Sequence, residues 1–293
     1  MSKPSRLTAD QIRCYEQNGY LAIANVVDAN DLEELREITR TILEASRDVR
    51  ASNAVYDLGP RHSRATPRVR RTKNPVEQHP VYDRLMRSDA ILDIVADLVG
   101  ESIRFDHAKL NFKPKDGSAS IGWHQDWAFY PHTNDDLLAV GVMLEDCAIE
   151  NGPLMVVPGS HKGPVYDHHC DGVFVGGIDT KASGLDASSA VPLTGRAGSI
   201  TVHHVRTIHG SAENFSNGDR ALLLYSYAAV DAWPLLDMDD FEAFNQRILR
   251  GTPTIEPRME RVPIRISLPR APQADSIFEN QAAAKRTSVT EAV

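Results

Sequence analysis

The chain has 293 residues, which suits one large domain or two small ones, and its 42% hydrophobic and 25% charged residues are ordinary for a globular protein with a sizeable core. The formal net charge of −8 argues against a nucleic-acid partner, whose phosphates would need a basic surface. The sequence has no long apolar run, and residues 1–8 lack the apolar core of a signal peptide, so we expect a cytoplasmic protein without a membrane partner.

The first hundred residues carry helical patterns around one predicted strand. Thr8-Ala-Asp-Gln11 is a capping box that predicts a short helix, and Gly19 is expected to end it. The β-rich stretch 20–27 predicts a strand, after which Asn30 is expected to cap a second helix with apolar residues at helical spacing. Residues 80–99 predict one or two further helices.

Residues 49–74 lose this patterning and are predicted to form a long basic loop. The loop carries several positive charges, including those of Arg64, Arg68, Arg70 and Arg71. Loops of this length inside a compact domain are usually functional or disordered. Two interpretations stay open: a solvated surface segment, or a lid whose arginines pair with a carboxylate or phosphate of the substrate and shield the reaction from water.

Strands dominate after residue 100. Short β-rich stretches are separated by turn signals such as Glu150-Asn-Gly152. The stretches are 103–112, 120–123, 137–144, 154–157, 173–175, 199–202 and 221–230. Many short strands at this spacing favour a sandwich or barrel, of which a double-sheet jelly roll is one form. We therefore predict one mainly β domain with flanking helices over residues 1–270, followed by a flexible C-terminal tail over 271–293.

His124 and Asp126 follow one of these stretches and are separated by a single residue. Alternation in an extended chain directs both side chains to one face. An imidazole and a carboxylate are two of the three ligands of the 2-His-1-carboxylate triad, which leaves positions open on Fe(II) for a chelating cosubstrate and O2. The spacing alone also suits an ordinary strand histidine. Trp127 and Phe129 come directly afterwards, where barrel packing and a substrate wall explain them equally well.

The segment 198–220 offers candidates for a third ligand. His203 and His204 are adjacent, so only one of them can face inward, and His209 follows. Arg220 then begins an apolar strand, where burial without a partner would be costly. A bound dicarboxylate would supply that partner by accepting two hydrogen bonds from the guanidinium group.

Three ordered blocks give the chain a resemblance to a known family. They are Trp123-His124-Gln125-Asp126, Glu150-Asn-Gly-Pro-Leu-Met-Val-Val-Pro-Gly-Ser-His161, and His209-Gly-Ser with Arg220 eleven residues after the histidine. With them the chain resembles the phytanoyl-CoA dioxygenase (PhyH) family of Fe(II)- and 2-oxoglutarate-dependent oxygenases. The resemblance implies a double-stranded β-helix (jelly-roll, cupin-like) core. It also implies decarboxylation of 2-oxoglutarate to succinate, coupled to hydroxylation or related oxidation of a small molecule.

The resemblance also implies roles for individual residues. It assigns the iron ligands to His124, Asp126 and His209. It implies that Arg220 binds 2-oxoglutarate and that Lys109 or Asn111 makes a further contact with this cosubstrate. Many relatives carry a serine or threonine two residues after the arginine, where this chain has Leu222, so the second hydrogen bond is expected from another residue. Halogenating relatives lack the carboxylate, so Asp126 implies hydroxylation or a related oxidation.

Two alternatives stay open. A zinc hydrolase could use the same three ligands with a metal-bound water, but no general base is evident nearby and Arg220 would have no role. A non-catalytic cupin-like binding protein would require a vestigial ligand set, although all three ligands are present.

Overall fold

The computed structural model describes residues 5–115, 120–236, 238–270, 277, 278 and 281. Its helices are α1 (Ala9–Asn18), α2 (Ala29–Ala45), α3 (Pro75–Gln78), α4 (Pro80–Met86), α5 (Asp89–Val99), α6 (Thr180–Ser183) and α7 (Phe241–Gln246). Its strands are β1 (Tyr20–Ile23), β2 (Tyr56–Leu58), β3 (Val69–Lys73), β4 (Ile103–Lys113), β5 (Ile121–His124), β6 (Leu137–Met143), β7 (Leu154–Val156), β8 (His169–Cys170), β9 (Val173–Phe174), β10 (Val191–Leu193), β11 (Ile200–His204), β12 (His209–Ser211), β13 (Arg220–Ala229) and β14 (Ile248–Arg250). Within the described ranges, no helix combines the length and the apolar character needed to cross a membrane.

The strands form two main sheets and a small hairpin. The larger sheet has the order β1-β11-β6-β13-β4-β3-β2, with β14 beside β4. The smaller sheet has the order β10-β7-β12-β5, and β8 pairs with β9. Neighbouring strands in both main sheets are antiparallel. The predicted mainly β jelly roll is confirmed.

Side-chain alternation in the larger sheet separates the hydrophobic core from a cavity. Leu110 and Leu223 belong to the main core cluster, which also contains the apolar residues of α2, α4 and α5. Lys109, Asn111 and Leu222, one position away along β4 and β13, line a cavity of about 510 Å³ that residues of both main sheets enclose. One face of the sheet is therefore covered by helices, and the other carries the candidate site.

Two tyrosines fasten the central strand β13 to α4. The Tyr225 hydroxyl donates to the carbonyl oxygen of Tyr82 at 2.8 Å, and the Tyr227 hydroxyl donates to that of Met86 at 2.9 Å. Both tyrosines are fully buried, so these hydrogen bonds satisfy polar groups that water cannot reach. The strand that begins with Arg220 is thus held in a fixed position relative to the helical layer.

The start of the chain follows the sequence closely, with one correction. Thr8 and Gln11 form the predicted capping box, and Gly19 ends α1 in the left-handed region. The prediction that Asn30 caps α2 is wrong, because the Asp28 carboxylate accepts hydrogen bonds from the backbone N–H groups of Asn30 and Asp31. Asp28 comes at the end of the turn after β1 and has the extended backbone of an N-cap residue.

The prediction of a patternless loop over residues 49–74 is also wrong. β2 and β3 form a hairpin whose second strand pairs with β4, so this segment extends the larger sheet. The turn between the strands is attached to the end of α2, because Arg47 donates to the carbonyl oxygen of Arg64 at 2.8 Å. β3 was missed because it reads Val-Arg-Arg-Thr-Lys, a charged sequence without an apolar alternation.

Most of the predicted C-terminal tail, 271–293, lies outside the described residues. Ile277 and Phe278 line the cavity, and the Phe278 ring lies 5.4 Å from the guanidinium carbons of both Arg70 and Arg71. Gln281 accepts a hydrogen bond from the backbone N–H of Gly122 at 3.2 Å. Ile277 and Phe278 therefore contribute to the wall of the candidate site.

Candidate functional site

His124, Asp126 and His209 form a buried cluster between β5 and β12. One ligand atom of each residue lies within 4.8 Å of the others. The two strands pair in the register that sets His209 opposite His124, and the imidazole centroids are 4.1 Å apart. Antiparallel pairing therefore brings together residues that are 85 positions apart in sequence, which explains why His124 and Asp126 alone could not reveal the third member.

Hydrogen bonds fix the orientation of both imidazole rings. Nδ1 of His124 lies 2.9 Å from the carbonyl oxygen of Gly122, and Nδ1 of His209 lies 2.9 Å from that of Thr207. Each Nδ1 must carry the proton to donate, which leaves the Nε2 lone pair for a metal. Burial lowers the pKa of His124 to about 4 and holds the pKa of His209 well below its usual value. Both rings are therefore neutral at pH 7.

Asp126 begins a 3-10 turn rather than continuing β5. The intervening Gln125 keeps an extended backbone, so the carboxylate still points to the same side as His124. Nζ of Lys109 lies 3.6 Å from Oδ1 of Asp126, and Nε2 of His203 lies 3.5 Å from Oδ2. Burial alone would raise the pKa of Asp126, but the charge of Lys109, together with the His203 ring beside the carboxylate, brings it well below its usual value. The carboxylate is therefore ionised.

Gln125 is held in place by hydrogen bonds from both its side chain and its backbone. Its side-chain amide donates to the carbonyl oxygens of Pro164 and Arg206 and accepts from the backbone N–H of Tyr166. Its backbone N–H donates to Nε2 of His168 at 2.9 Å. The residue that sets the spacing of His124 and Asp126 therefore cannot rotate freely, and the buried His168 supports it.

The cluster fits a divalent transition metal. Two neutral imidazoles and one carboxylate are the donor set of non-haem Fe(II) oxygenases. Oδ2 of Asp126 is buried and has no hydrogen-bond partner in the described part of the chain, as expected for an atom that a metal would satisfy. The donor set supplies three ligands on one side, so the opposite side is open for a cosubstrate.

Arg220 lies elsewhere on the wall of the same cavity, at the beginning of β13. It is buried, its Nη2 donates to the carbonyl oxygen of Gly152, and its Nε has no partner among the described residues. Gly152 has a φ of +74°, and an added Cβ would lie 2.6 Å from the Ala212 carbonyl oxygen and 2.8 Å from Cδ of Lys113. The Glu-Asn-Gly turn therefore needs glycine to bring its backbone against the arginine.

Two polar residues near Arg220 were missed in the sequence. Lys113 is the β4 partner of Arg220, and its Nζ donates to the carbonyl oxygen of Ala212. Burial, with a smaller effect from the Arg220 charge, lowers the pKa of Lys113 to about 7. Ser211 also lines the cavity, and its hydroxyl has no partner in the described ranges. Lys113 and Ser211 are therefore candidates for the second hydrogen bond to 2-oxoglutarate, which the apolar Leu222 cannot donate.

The cavity is strongly cationic. Its charged lining residues, among those described, are Arg71, Lys73, Lys109, Lys113, Arg220 and Arg270 against one carboxylate, Asp126. Arg71 and Lys73 both come from β3, and Nε of Arg71 donates to Oδ1 of Asn111 at 2.9 Å. A protein with a net charge of −8 thus concentrates positive charge in the cavity that holds the candidate metal cluster.

Only some of the residues predicted to contact the substrate line the cavity. Arg71 and Phe129 line the cavity, whereas Arg70 contacts the Phe278 ring and is absent from the lining among described residues. Arg64 and Arg68 lie in the turn of the β2–β3 hairpin, and the Arg64 side chain is 82% exposed and faces Asp48. The interpretation of Trp127 as a substrate wall is wrong. It is fully buried in a separate apolar cluster, and its indole N–H donates to the carbonyl oxygen of Pro263.

A jelly roll that holds two histidines, a carboxylate and a buried arginine around one cavity defines the class of Fe(II)- and 2-oxoglutarate-dependent oxygenases. Residues 15–222 match the phytanoyl-CoA dioxygenase (PhyH) family, and the chain belongs to this family. It is an Fe(II)- and 2-oxoglutarate-dependent dioxygenase that acts on a small molecule.

Among similar proteins, a probable alpha-ketoglutarate-dependent hypophosphite dioxygenase of Stutzerimonas stutzeri is 39% identical over 279 residues, covering 94% of this chain and 97% of that protein. The L-proline trans-4-hydroxylase of Streptomyces griseoviridis is 28% identical, with 80% and 91% of the two chains covered. Among solved structures, EctD from S. alaskensis with bound Fe has a TM-score of 0.66 at 23% identity and covers 90% of each chain. The similarity to EctD shows that the two proteins share a fold.

Proposed function

We propose that His124, Asp126 and His209 hold the Fe(II) of this dioxygenase and that Arg220 binds the distal carboxylate of 2-oxoglutarate. The supporting observation is the buried three-residue cluster with two neutral, oriented imidazoles. Lys113 and Ser211 complete the grip on the distal carboxylate. Bound iron supplies the oxidising chemistry, and the chain supplies orientation and the exclusion of water.

Lys109 and Asn111 are the two candidates for a further cosubstrate contact on β4. Lys109 is the better candidate because its Nζ lies 3.6 Å from Asp126, beside the metal cluster. The side-chain amide oxygen Oδ1 of Asn111 already accepts a hydrogen bond from Nε of Arg71. Asn111 therefore acts by orienting the Arg71 guanidinium group toward the cavity.

The substrate that the site supports best is a small oxyanion, of which hypophosphite is the first candidate. The observation that carries this proposal is the surplus of positive charge in the cavity. Fe(II) and Asp126 together carry one positive charge, and 2-oxoglutarate brings two negative charges. Arg220 is matched by the distal carboxylate, so Arg71 and Lys73 on β3 have no cosubstrate charge to neutralise. The buried Asp57 opposite Arg71 offsets only one of these two charges. An anionic substrate would balance the other.

The 39% identity to a hypophosphite dioxygenase over nearly the whole of both chains supports the same choice. Oxidation of hypophosphite would replace one P–H bond with P–OH and yield phosphite, while 2-oxoglutarate yields succinate and CO2. Both oxygen atoms of O2 are then accounted for, one in phosphite and one in succinate. The reaction needs no further reductant.

The test is anaerobic loading of the protein with Fe(II) and 2-oxoglutarate, followed by addition of oxygen with hypophosphite, L-proline or ectoine. We expect hypophosphite to stimulate succinate formation above the substrate-free background. Phosphorus NMR should show the two-proton coupling of hypophosphite replaced by the one-proton coupling of phosphite in equal molar amount to succinate. An Asp126→Ala variant serves as the control for adventitious iron.

Succinate formation that hypophosphite does not raise would exclude this substrate. Stimulation by L-proline or ectoine instead would reassign the substrate to zwitterionic molecules while leaving the cosubstrate chemistry in place.

A further inference from the structure

His203 is a buried histidine of the cavity wall that the proposed ligand set leaves unused. It lies on β11, is 1% exposed, and neither ring nitrogen has a hydrogen-bond partner in the described part of the chain. A buried donor without an acceptor is unfavourable, so a polar ring in this position needs a specific partner. The neighbouring His204 points to the other side of the strand, toward Asp135.

The nearest acceptor is the carboxylate of Asp126. Nε2 of His203 lies 3.5 Å from Oδ2 of Asp126, and the His203 and His209 ring centroids are 4.5 Å apart. Oδ2 is itself one of the buried atoms without a hydrogen-bond partner among the described residues. The two unsatisfied groups therefore face each other at slightly more than hydrogen-bond distance.

His203 does not belong to the ligand cluster itself. The ligand atoms of His124, Asp126 and His209 all lie within 4.8 Å of one another, and His203 is not part of this group. A fourth protein ligand would also occupy a coordination position that the cosubstrate requires. The ring is therefore placed to act on a ligand rather than to be one.

We propose that His203 is a positioning residue that donates a hydrogen bond from Nε2 to Asp126 and holds the carboxylate in its metal-binding orientation. Lys109 approaches the other oxygen, Oδ1, at 3.6 Å, so donors on two sides restrict rotation of the carboxylate. Hydrogen bonds to the ligands of a metal site orient them and strengthen metal binding. This inference rests on the proposed role of Asp126 as an iron ligand.

The experiment compares His203→Phe, which keeps a planar ring without a donor, with His203→Gln, whose amide nitrogen can replace Nε2. The affinity of the metal-free proteins for Fe(II) is measured anaerobically by competition with a coloured chelator. The visible spectrum of the Co(II)-loaded proteins reports the coordination of the metal independently of turnover. Thermal unfolding of the metal-free proteins reports whether each variant folds.

We expect His203→Phe to weaken Fe(II) binding by roughly 10- to 100-fold and to alter the Co(II) spectrum, and His203→Gln to restore both. Equal Fe(II) affinity in wild type and His203→Phe would overturn the proposal. Equally weak binding in the two variants with normal unfolding would also overturn it, because the donor would not be the cause. If His203→Phe does not fold, His203→Asn, whose shorter amide cannot reach Asp126, replaces it.

A His124→Ala variant separates this proposal from the one on which it rests. Loss of metal in His124→Ala with full binding in His203→Phe would reject only the role of His203. Full metal binding in His124→Ala would reject the ligand assignment itself.

Discussion

Lys113 and Arg220 face each other across β4 and β13, with both side chains buried. Two cations side by side in a buried place are unfavourable unless an anion joins them, and the lowered pKa of Lys113, about 7, reflects first its burial and then the Arg220 charge. The pair is therefore suited to a bound carboxylate.

The first prediction concerns the pH dependence of cosubstrate binding. Lys113 is protonated below its pKa of about 7, and only the ammonium form attracts a carboxylate. The affinity for 2-oxoglutarate should therefore fall as the pH rises through and above 7, while Lys113→Met should bind more weakly at pH 6 and show little change across this range. Titration of the Fe(II)-loaded protein, followed by the visible absorption of the cosubstrate complex, measures both. An identical pH dependence in the variant would remove Lys113 from the cosubstrate site.

The second prediction concerns Arg220. Arg220→Leu should raise the 2-oxoglutarate requirement sharply, because removing one partner of a buried charge pair costs about 2–5 kcal/mol. Arg220→Lys keeps the positive charge but loses the planar guanidinium group. Its affinity for 2-oxoglutarate should therefore lie between those of Arg220→Leu and wild type. Equilibrium titration with 2-oxoglutarate is the measurement. An unchanged affinity in Arg220→Leu would make the arginine structural.

The third prediction separates Arg71 from the arginines of the hairpin turn. Arg71→Met should raise the KM for an anionic substrate and leave the 2-oxoglutarate affinity nearly unchanged, since Arg71 lines the cavity from β3. Arg64→Met removes the same charge from an exposed position and is the matched control. Steady-state kinetics with hypophosphite measure both. The same KM in the two variants would exclude Arg71 as a substrate contact.

The fourth prediction concerns the metal ligands. His124→Ala or Asp126→Ala should lose bound iron and turnover while keeping the fold, because a three-ligand site that loses one ligand cannot hold Fe(II) tightly. Iron content after anaerobic buffer exchange and circular dichroism of the metal-free protein are the measurements. Wild-type iron content in either variant would contradict the assignment.

The sequence predicted those parts of the fold that repeat a simple pattern. The capping box at Thr8, the helices of residues 80–99 and the strands of the apolar stretches were found because each is encoded locally. The strands β3 and β12 were missed for two different reasons. The first is a charged strand, and the second is only three residues long, so neither carries a periodic signal.

Only part of the site was predicted, because a local sequence pattern does not show which strands pair. His124 and Asp126 are close in sequence, whereas His209 joins them through strand pairing and needed the family resemblance to be identified. Lys113 appeared as one charged residue at the end of a strand, and its importance depends on the register that sets it opposite Arg220. Trp127 follows Asp126 directly, but the 3-10 turn that begins at Asp126 carries its ring into a separate apolar cluster.

The position of the β2–β3 hairpin at one edge of the larger sheet has an evolutionary consequence. Arg71 and Lys73 belong to a hairpin that joins the larger sheet through β4, while the cluster of His124, Asp126 and His209 involves β5 and β12 of the smaller sheet. Mutations in the hairpin can therefore change the charge offered to a substrate without moving a metal ligand. In a family with this arrangement, changes in the hairpin can alter which substrate is bound while the metal ligands stay the same.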